Sequence, residues 1–65
     1  MELEKDCTYL IKDNNIMHPG VYEILVYDIS ETCYDIFHLD GRSRTGRNWV
    51  EKEKFYKNYT ILEKL

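Results

Sequence analysis

Residues 21–29 read Val-Tyr-Glu-Ile-Leu-Val-Tyr-Asp-Ile and carry the strongest strand signal in the chain. β-Branched and aromatic residues dominate this stretch, and such residues favour a pleated, half-buried surface. Its apolar side chains fall on both faces of the predicted strand. That distribution is typical of a central strand that is covered on two sides, or of a strand that bends at a bulge. The stretch therefore predicts a long central β-strand.

The residues after this stretch predict its antiparallel neighbour. Residues 33–39, Cys-Tyr-Asp-Ile-Phe-His-Leu, again favour a strand, and residues 30–32 form a short polar turn between the two. A connection this short joins neighbouring strands as an antiparallel hairpin. Asp40-Gly41 then ends the second strand, because this dipeptide is the commonest tight-turn signal.

The amino-terminal part predicts one more strand and a loop. In residues 7–11 the alternation of side chains indicates a strand. Residues 12–20 contain several Asp and Asn residues and end in Pro19-Gly20, a combination that is typical of loops. We expect Ile16 and Met17 in this loop to pack back onto the core.

The carboxy-terminal part predicts two short strands on either side of a helical turn. Residues 47–50 resume the strand pattern after a polar loop. We interpret the charged residues 51–57 as a single helical turn, which Asn58 ends in a left-handed conformation. Residues 59–62 then favour a last short strand, and residues 63–65 a frayed tail.

An alternative for this region is one longer helix. Phe55, Tyr59 and Leu62 have the spacing i, i+4, i+7, which also fits an amphipathic helix over residues 50–64. The predicted fold is therefore mainly β, with about five short antiparallel strands and one helical turn near residues 51–57. The alternative is an α+β fold, in which an antiparallel sheet packs against a carboxy-terminal helix.

Length and composition limit the class of protein. A chain of 65 residues, 43% of them apolar, is enough for one folded domain over residues 1–65. No apolar run approaches the roughly 18 residues of a membrane span, and residues 1–6 are acidic, unlike a secretory signal. We therefore expect a cytoplasmic protein without membrane contact, in which Cys7 and Cys33 are free thiols.

Several features of the predicted order occur together in one kind of small domain. They are Asp40-Gly41, Trp49-Val50, Phe55 and the closing Tyr59-Thr60-Ile61-Leu62. Over residues 7–62 the pattern resembles the SH3-like small β-barrels of short bacterial and phage-encoded proteins. The resemblance implies an SH3-like barrel. It also implies a standalone protein, often a phage or mobile-element product, that binds and modulates a host factor.

Charge is distributed unevenly along the chain. Residues 1–40 contain nine acids and two lysines, net −7, whereas residues 41–57 contain six basic residues and two acids, net +4. A folded domain with this division is electrically polarised. The cationic part predicts a site for an anionic partner, either a nucleotide, a nucleic-acid strand or an acidic protein surface. Its candidate residues are Arg42, Ser43, Arg44, Thr45, Arg47 and Trp49.

The chemistry of these residues suits anion binding. Guanidinium groups bind phosphate or carboxylate through paired donors, and the hydroxyls of Ser43 and Thr45 add further donors. Trp49 can stack on a base. The segment lacks the Gly-Lys-Ser/Thr of a nucleotide-binding Walker loop. The same arginines can instead pair with acids elsewhere in the domain.

The apolar residues on both faces of the hairpin suggest a second hypothesis, in which one face of the sheet binds another protein. So short a chain cannot cover two apolar sheet faces unless its own loops fold over one of them. A surplus apolar face marks a partner interface or a homo-oligomer seam, and neighbouring acids such as Glu23 and Asp28 suit a basic partner. The predicted interface residues are Tyr22, Leu25, Tyr27, Tyr34 and Phe37. We therefore expect a protein-binding, homo-oligomeric module, with nucleotide or nucleic-acid binding as the alternative.

Catalysis and metal binding are not expected from this sequence. Cys7 and Cys33 lie in predicted strands, where cysteine behaves as a small apolar residue. Their spacing to His18 and His38 fits no zinc module. The chain also lacks paired carboxylates at a defined helical spacing for acid–base chemistry. We therefore predict a protein that is not an enzyme and holds no cofactor.

Overall fold

A computed structural model describes residues 2–17, 20–39 and 47–65 of the chain. The elements in these ranges are β1 (Thr8–Asp13), β2 (Gly20–Ile29), β3 (Cys33–His38), β4 (Arg47–Glu51), α1 (Lys52–Asn58) and β5 (Tyr59–Lys64). The strands form one antiparallel sheet in the order β4-β3-β2-β1-β5. The prediction of a mainly β domain with five antiparallel strands and a helical turn is confirmed.

Strand β2 is the centre of the sheet, and it contains a bulge. It pairs with β1 on one side and with β3 on the other. Against β3, Val26 lies opposite Ile36 and Asp28 lies opposite Asp35, so Tyr27 is an extra residue in the ladder. An extra residue shifts the alternation of the strand by one position. Beyond the bulge the alternation is shifted by one position, so Ile29 packs against the core although Leu25, also odd-numbered, lies on the opposite face.

The core lies on one face of the sheet and is closed by α1. Eight apolar side chains are buried there: Leu3, Tyr9, Ile11, Ile24, Val26, Tyr34, Ile36 and Phe55. The strands contribute alternate residues, as expected for a sheet with one buried face. Phe55 comes from α1, which contacts both edge strands β4 and β5. Its ring packs edge-on against Tyr34, with the ring centroids 5.7 Å apart, and so covers the sheet from the helix side.

The loop after β1 differs from the prediction. Ile16 is 93% exposed and Met17 is 80% exposed, so neither packs onto the core. Two successive side-chain turns direct this segment outward. The Asn15 amide donates to Asp13 Oδ1 at 2.9 Å, and the Met17 amide donates to Asn15 Oδ1 at 2.9 Å. Local hydrogen bonds of Asp and Asn therefore decide the direction of this loop.

The carboxy-terminal region settles the choice between helix and strand. Helix α1 ends at Asn58, and the chain enters β5 directly at Tyr59, so a helix over residues 50–64 is not formed. The prediction of a left-handed Asn58 is wrong, because Asn58 does not have a positive φ. Its carbonyl accepts the Asn14 amide at 2.9 Å, which continues the β1–β5 pairing. The tail is not frayed either, since the Leu65 amide donates to the Thr8 carbonyl at 2.9 Å.

Candidate interaction surface

The face of the sheet opposite the core carries an aromatic and cationic cluster. In β3 and β4 the odd-numbered residues point to this outer face, because Tyr34 and Ile36 point into the core. The register places Phe37 between Leu25 on β2 and Arg47 on β4, and places Trp49 opposite Asp35. We refer to five residues together as the outer-face patch: Leu25, Tyr27, Phe37, Arg47 and Trp49.

An ion pair between the buried Asp35 and the half-exposed Arg47 lies at the centre of the outer-face patch. The Asp35 side chain is only 2% exposed. Arg47 donates to Asp35 Oδ2 from Nε at 2.9 Å and also from Nη2. This hydrogen bonding raises the pKa of Arg47. Within the described part of the chain the second oxygen of Asp35, Oδ1, accepts no hydrogen bond. Arg47 is therefore the group that compensates this carboxylate.

Aromatic contacts fix the remaining geometry of the patch. The Arg47 guanidinium lies over the Tyr27 ring, 4.5 Å from its centroid. Tyr27 in turn meets Phe37 edge-on at 5.9 Å between centroids. The Trp49 indole is 55% exposed and Tyr27 is 37% exposed. The Arg47–Asp35 ion pair thus fixes the position of the side chains in the patch, and the rings of Tyr27 and Trp49 are exposed to solvent.

Two of the predicted interface residues belong to the core instead. Tyr34 is fully buried, and Tyr22 is partly buried and packs against the core cluster, so neither lies in the outer-face patch. This corrects the predicted set, in which Leu25, Tyr27 and Phe37 remain. Regular strand alternation is the reason, because Tyr22 lies before the bulge and Tyr34 lies on β3. Up to Val26 the even-numbered residues of β2 point inward, and sequence alternation alone does not show which face of a two-sided apolar strand is covered.

The predicted anion site is only partly within the described ranges. Arg42, Ser43, Arg44 and Thr45, together with the Asp40-Gly41 turn, lie outside the described residues. Arg47 lies inside them, and its paired donors are directed at Asp35. The structure therefore gives Arg47 an internal partner, which is the other outcome that the sequence allowed. Trp49 keeps the exposed position that a stacking residue needs.

Outside the patch, the described residues form at least two open hollows. One has a volume of about 370 Å³ and lies where the end of β1 meets the end of α1, around Asp13, Asn14 and Asn58. The other, of about 570 Å³, is lined by residues 31–33 and 51–53. Lys52 beside it donates to Glu2 Oε1 at 3.0 Å, which lowers the pKa of Glu2.

The two cysteines lie apart from each other, and Cys33 lines the second hollow. Cys7 and Cys33 are half-buried free thiols, and Cys33 Sγ lies 3.6 Å from Thr32 Oγ1. Among residues 2–17, 20–39 and 47–65, no three His, Cys, Asp or Glu side chains are placed to hold a metal ion. In the same ranges no helix has the length and apolar character needed to cross a bilayer.

Comparisons of the chain with protein families, with curated proteins and with solved structures found no match. The outer-face patch combines exposed aromatic rings with a fixed arginine and is the candidate functional site.

Proposed function

We propose that this domain is a non-catalytic interaction module that binds a protein partner through the outer-face patch. The observation that carries the proposal is the cluster of Tyr27, Phe37 and Trp49 around Arg47, on the sheet face that the core does not use. Tyrosine, tryptophan and arginine are the residue types that are enriched where proteins bind each other. The free energy of such interfaces is concentrated in a few residues of this kind.

The charges around the patch indicate the chemistry of its partner. Arg47 is already matched by Asp35. The outer face also carries the exposed Glu23 on β2 and Glu51 on β4, and Asp28 on β2, which has 46% of its side chain exposed and lies 3.8 Å from Lys5 Nζ. Opposite potentials across an interface favour association and select the correct partner. We therefore propose a partner surface with an apolar centre and basic residues at its rim.

The ion pair supports binding by fixing the patch before a partner arrives. Arg47 is held by two hydrogen bonds to Asp35 and stacks on Tyr27. An aromatic surface that is already ordered loses less conformational entropy on association. The sheet beneath it is the rigid element on which such a site is best built.

Trp49 gives a direct test, because it is the one tryptophan in the chain. A photo-crosslinking residue at position 49 captures the partner in the native host, with the same residue at Lys54 on α1 as the control. The captured protein is then purified and titrated into the wild-type domain, which retains Trp49, while the fluorescence of Trp49 is followed. We expect a blue shift on binding. Tyr27→Ala is expected to weaken binding at least about tenfold, and Lys54→Ala to leave it unchanged.

Equal affinity of the wild type and the Tyr27→Ala variant would overturn the proposal, provided that both are folded. So would equal capture from positions 49 and 54. Because Tyr27 is an unpaired bulge residue with an exposed ring, its truncation is compatible with the fold.

A second candidate is binding of a nucleotide or nucleic acid, and it is favoured by the exposed Trp49 indole next to Arg47. A base stacking on the indole would quench its fluorescence. Three phosphate contacts from Arg42, Arg44 and Arg47 would give a log–log salt dependence of about −2 to −3. An oligonucleotide that leaves the fluorescence unchanged across a salt series would exclude this candidate.

We also propose a cytoplasmic location and retain the likeness to SH3-like barrels. The two free thiols support the first, because unpaired cysteines are typical of a reducing compartment. The strand order, with α1 between β4 and β5, supports the second. The role as a phage or mobile-element modulator rests on that likeness and is tested by the identity of the captured partner.

A further inference from the structure

Two carboxylates lie directly opposite each other on the outer face of the sheet. The register pairs Asp28 on β2 with Asp35 on β3, immediately after the bulge at Tyr27. Directly opposed residues of antiparallel strands have Cβ atoms about 5 Å apart, and like charges at such positions destabilise the pairing. A cation that lies between the two carboxylates removes this repulsion. The pair therefore favours a positively charged group at the junction of β2 and β3.

One oxygen of this pair lacks a hydrogen-bond donor among the residues that the structure describes. The Asp35 side chain is nearly fully buried, and Arg47 donates to its Oδ2, whereas Oδ1 accepts no hydrogen bond from these residues. Buried carboxylate oxygens are nearly always hydrogen-bonded, so Oδ1 marks the place of a missing donor. A ligand reaches this oxygen after a rotation of Trp49, which lies opposite Asp35 and is 55% exposed.

Asp28 is the accessible member of the pair, with 46% of its side chain exposed. Its Oδ1 accepts the Ile29 amide at 2.8 Å. Lys5 Nζ lies 3.8 Å from the same oxygen, which is beyond hydrogen-bond distance. Exposed ion pairs of this kind contribute little free energy. Lys5 is therefore a loosely held cation that a better-placed cation can displace.

Aromatic residues flank the two carboxylates and indicate the kind of cation. Tyr27 precedes Asp28 on β2, and Trp49 lies opposite Asp35 on β4. A cation over the face of an indole ring gains further stabilisation. A guanidinium group is planar, stacks on aromatic rings and pairs with carboxylates through parallel donors, whereas an ammonium group is a compact point charge. The site therefore suits the side chain of arginine better than that of lysine.

We infer that Asp28 and Asp35 bind an arginine side chain of the protein partner, with its guanidinium against Trp49. The inference rests on the proposed function and names the group that the partner contributes to the interface. The guanidinium takes the place of Lys5 beside Asp28 and donates to Asp28 and to Asp35 Oδ1. The local charge agrees, because the acids Asp28, Asp35 and Glu51 outnumber the basic residues Arg47 and Lys5 on this part of the outer face.

Titration with arginine capped at both ends, as the N-acetyl methylamide, tests the site without a known partner. The same derivative of citrulline is the control, because citrulline has the shape of arginine without its charge. The fluorescence of Trp49 is followed up to about 100 mM of either compound, which extends beyond the millimolar range of a weak contact. We expect a saturable change with arginine and none with citrulline. No saturable change with arginine, or an equal change with citrulline, overturns the inference.

Three variants identify the residues that bind the guanidinium. Asp28→Asn keeps an oxygen for the Ile29 amide and removes the charge, and is expected to weaken binding of capped arginine at least about threefold. Lys5→Gln removes the competing cation and is expected to strengthen binding about twofold or more. Glu23→Gln removes the same charge from an exposed position of the same strand and is expected to leave binding unchanged. Circular dichroism verifies that each variant is folded.

The inference and the proposed function fail in different measurements. An effect of Glu23→Gln as large as that of Asp28→Asn, or no gain in Lys5→Gln, overturns the arginine site. With the captured partner, Asp28→Asn is expected to weaken binding as it weakens binding of capped arginine. Wild-type affinity of Asp28→Asn beside weakened binding of Tyr27→Ala overturns this inference alone. Full affinity of Tyr27→Ala overturns the proposed function.

Discussion

The hydroxyl oxygens of Tyr34 and Tyr56 lie 2.6 Å apart, and this hydrogen bond joins helix α1 to the middle of the sheet. Tyr34 stands on β3 with its ring fully buried. Its hydroxyl also accepts the Leu3 amide at 3.3 Å, so one phenol connects the amino-terminal segment, the sheet and the helix. The rings of the two tyrosines meet edge-on, with centroids 6.0 Å apart.

This relationship predicts unequal effects of removing either hydroxyl. Tyr34→Phe removes the acceptor of a buried amide and the partner of Tyr56, and is expected to lower the free energy of unfolding by about 1–3 kcal/mol. Tyr56→Phe removes one bond at a partly exposed position, with an expected cost of about 0.5–1.5 kcal/mol. Urea denaturation measures both. A larger loss in Tyr56→Phe than in Tyr34→Phe would contradict the arrangement.

Titration of Tyr56 predicts a loss of stability at alkaline pH. Burial of its hydroxyl and the hydrogen bond with Tyr34 raise the pKa of Tyr56 above the ordinary value of 10.0. A group whose pKa is raised on folding contributes stability that is fully present below its unfolded pKa and is lost as the pH rises through its folded pKa. We therefore expect stability to fall above pH 10 or so, and to fall less steeply in Tyr56→Phe. Urea midpoints across this pH range measure the difference, and parallel curves would refute it.

We expect substitution of Arg47 to destabilise the domain, because its guanidinium pairs with the buried Asp35 carboxylate. Arg47→Met leaves the buried Asp35 carboxylate without its partner, and an uncompensated buried charge is destabilising, so the free energy of unfolding is expected to fall. Adding Asp35→Asn removes the uncompensated charge and is expected to restore most of the loss. Chemical denaturation of the single and double variants measures this. A single variant as stable as the wild type would show that the pair does not organise the patch.

We expect the fold to depend on α1, because Phe55 of this helix fills the core. It is the fully buried residue of the helix and packs against Tyr34 and Tyr59. Phe55→Ala is expected to cost about 3–5 kcal/mol, which is comparable to the whole stability of a domain this small. Thermal unfolding followed by circular dichroism should show loss of the folded state. Lys54→Ala, on an exposed position of the same helix, is the matched control and should unfold like the wild type.

Ile16 lies in the exposed loop after β1, so we expect its substitution to have little effect on stability although it is an apolar residue. Ile16→Ser is expected to change the free energy of unfolding by less than about 0.5 kcal/mol. Ile11→Ala, at a fully buried position, is expected to cost about 2–5 kcal/mol. Urea denaturation of the two variants compares them. A comparable loss from both would mean that Ile16 packs onto the domain in solution.

The strands could be predicted from sequence because their local signals agree with the final pairing. Residues 21–29 and 33–39 are rich in β-formers and are joined by three polar residues, so the hairpin follows from propensity and turn length alone. The ends of β1 and β5 could not be predicted as well. Asp13 and Lys64 belong to these strands because a partner strand continues opposite them, and pairing with a distant segment leaves no local signal.

The outer-face patch could be predicted only in part, for a physical reason that involves the bulge. The sequence identifies apolar residues on both faces of the hairpin, but it does not show which face the core covers, nor that the bulge after Val26 turns Ile29 inward. By sequence Asp35 is one of several acids in the hairpin, whereas in the fold it is buried and paired with Arg47. That role depends on Arg47, which is twelve positions later and adjacent only through the β3–β4 register.

The extra residue in β2 has a consequence for how this surface can diversify. Tyr27 has no counterpart in the ladder of β3, so its side chain is not tied to the alternation that the core imposes on its neighbours. Substitutions there can change the chemistry of the exposed face while the sheet keeps its pairing. The strand register therefore does not constrain the residue type at this position, although the ring that is there now contacts Arg47 and Phe37.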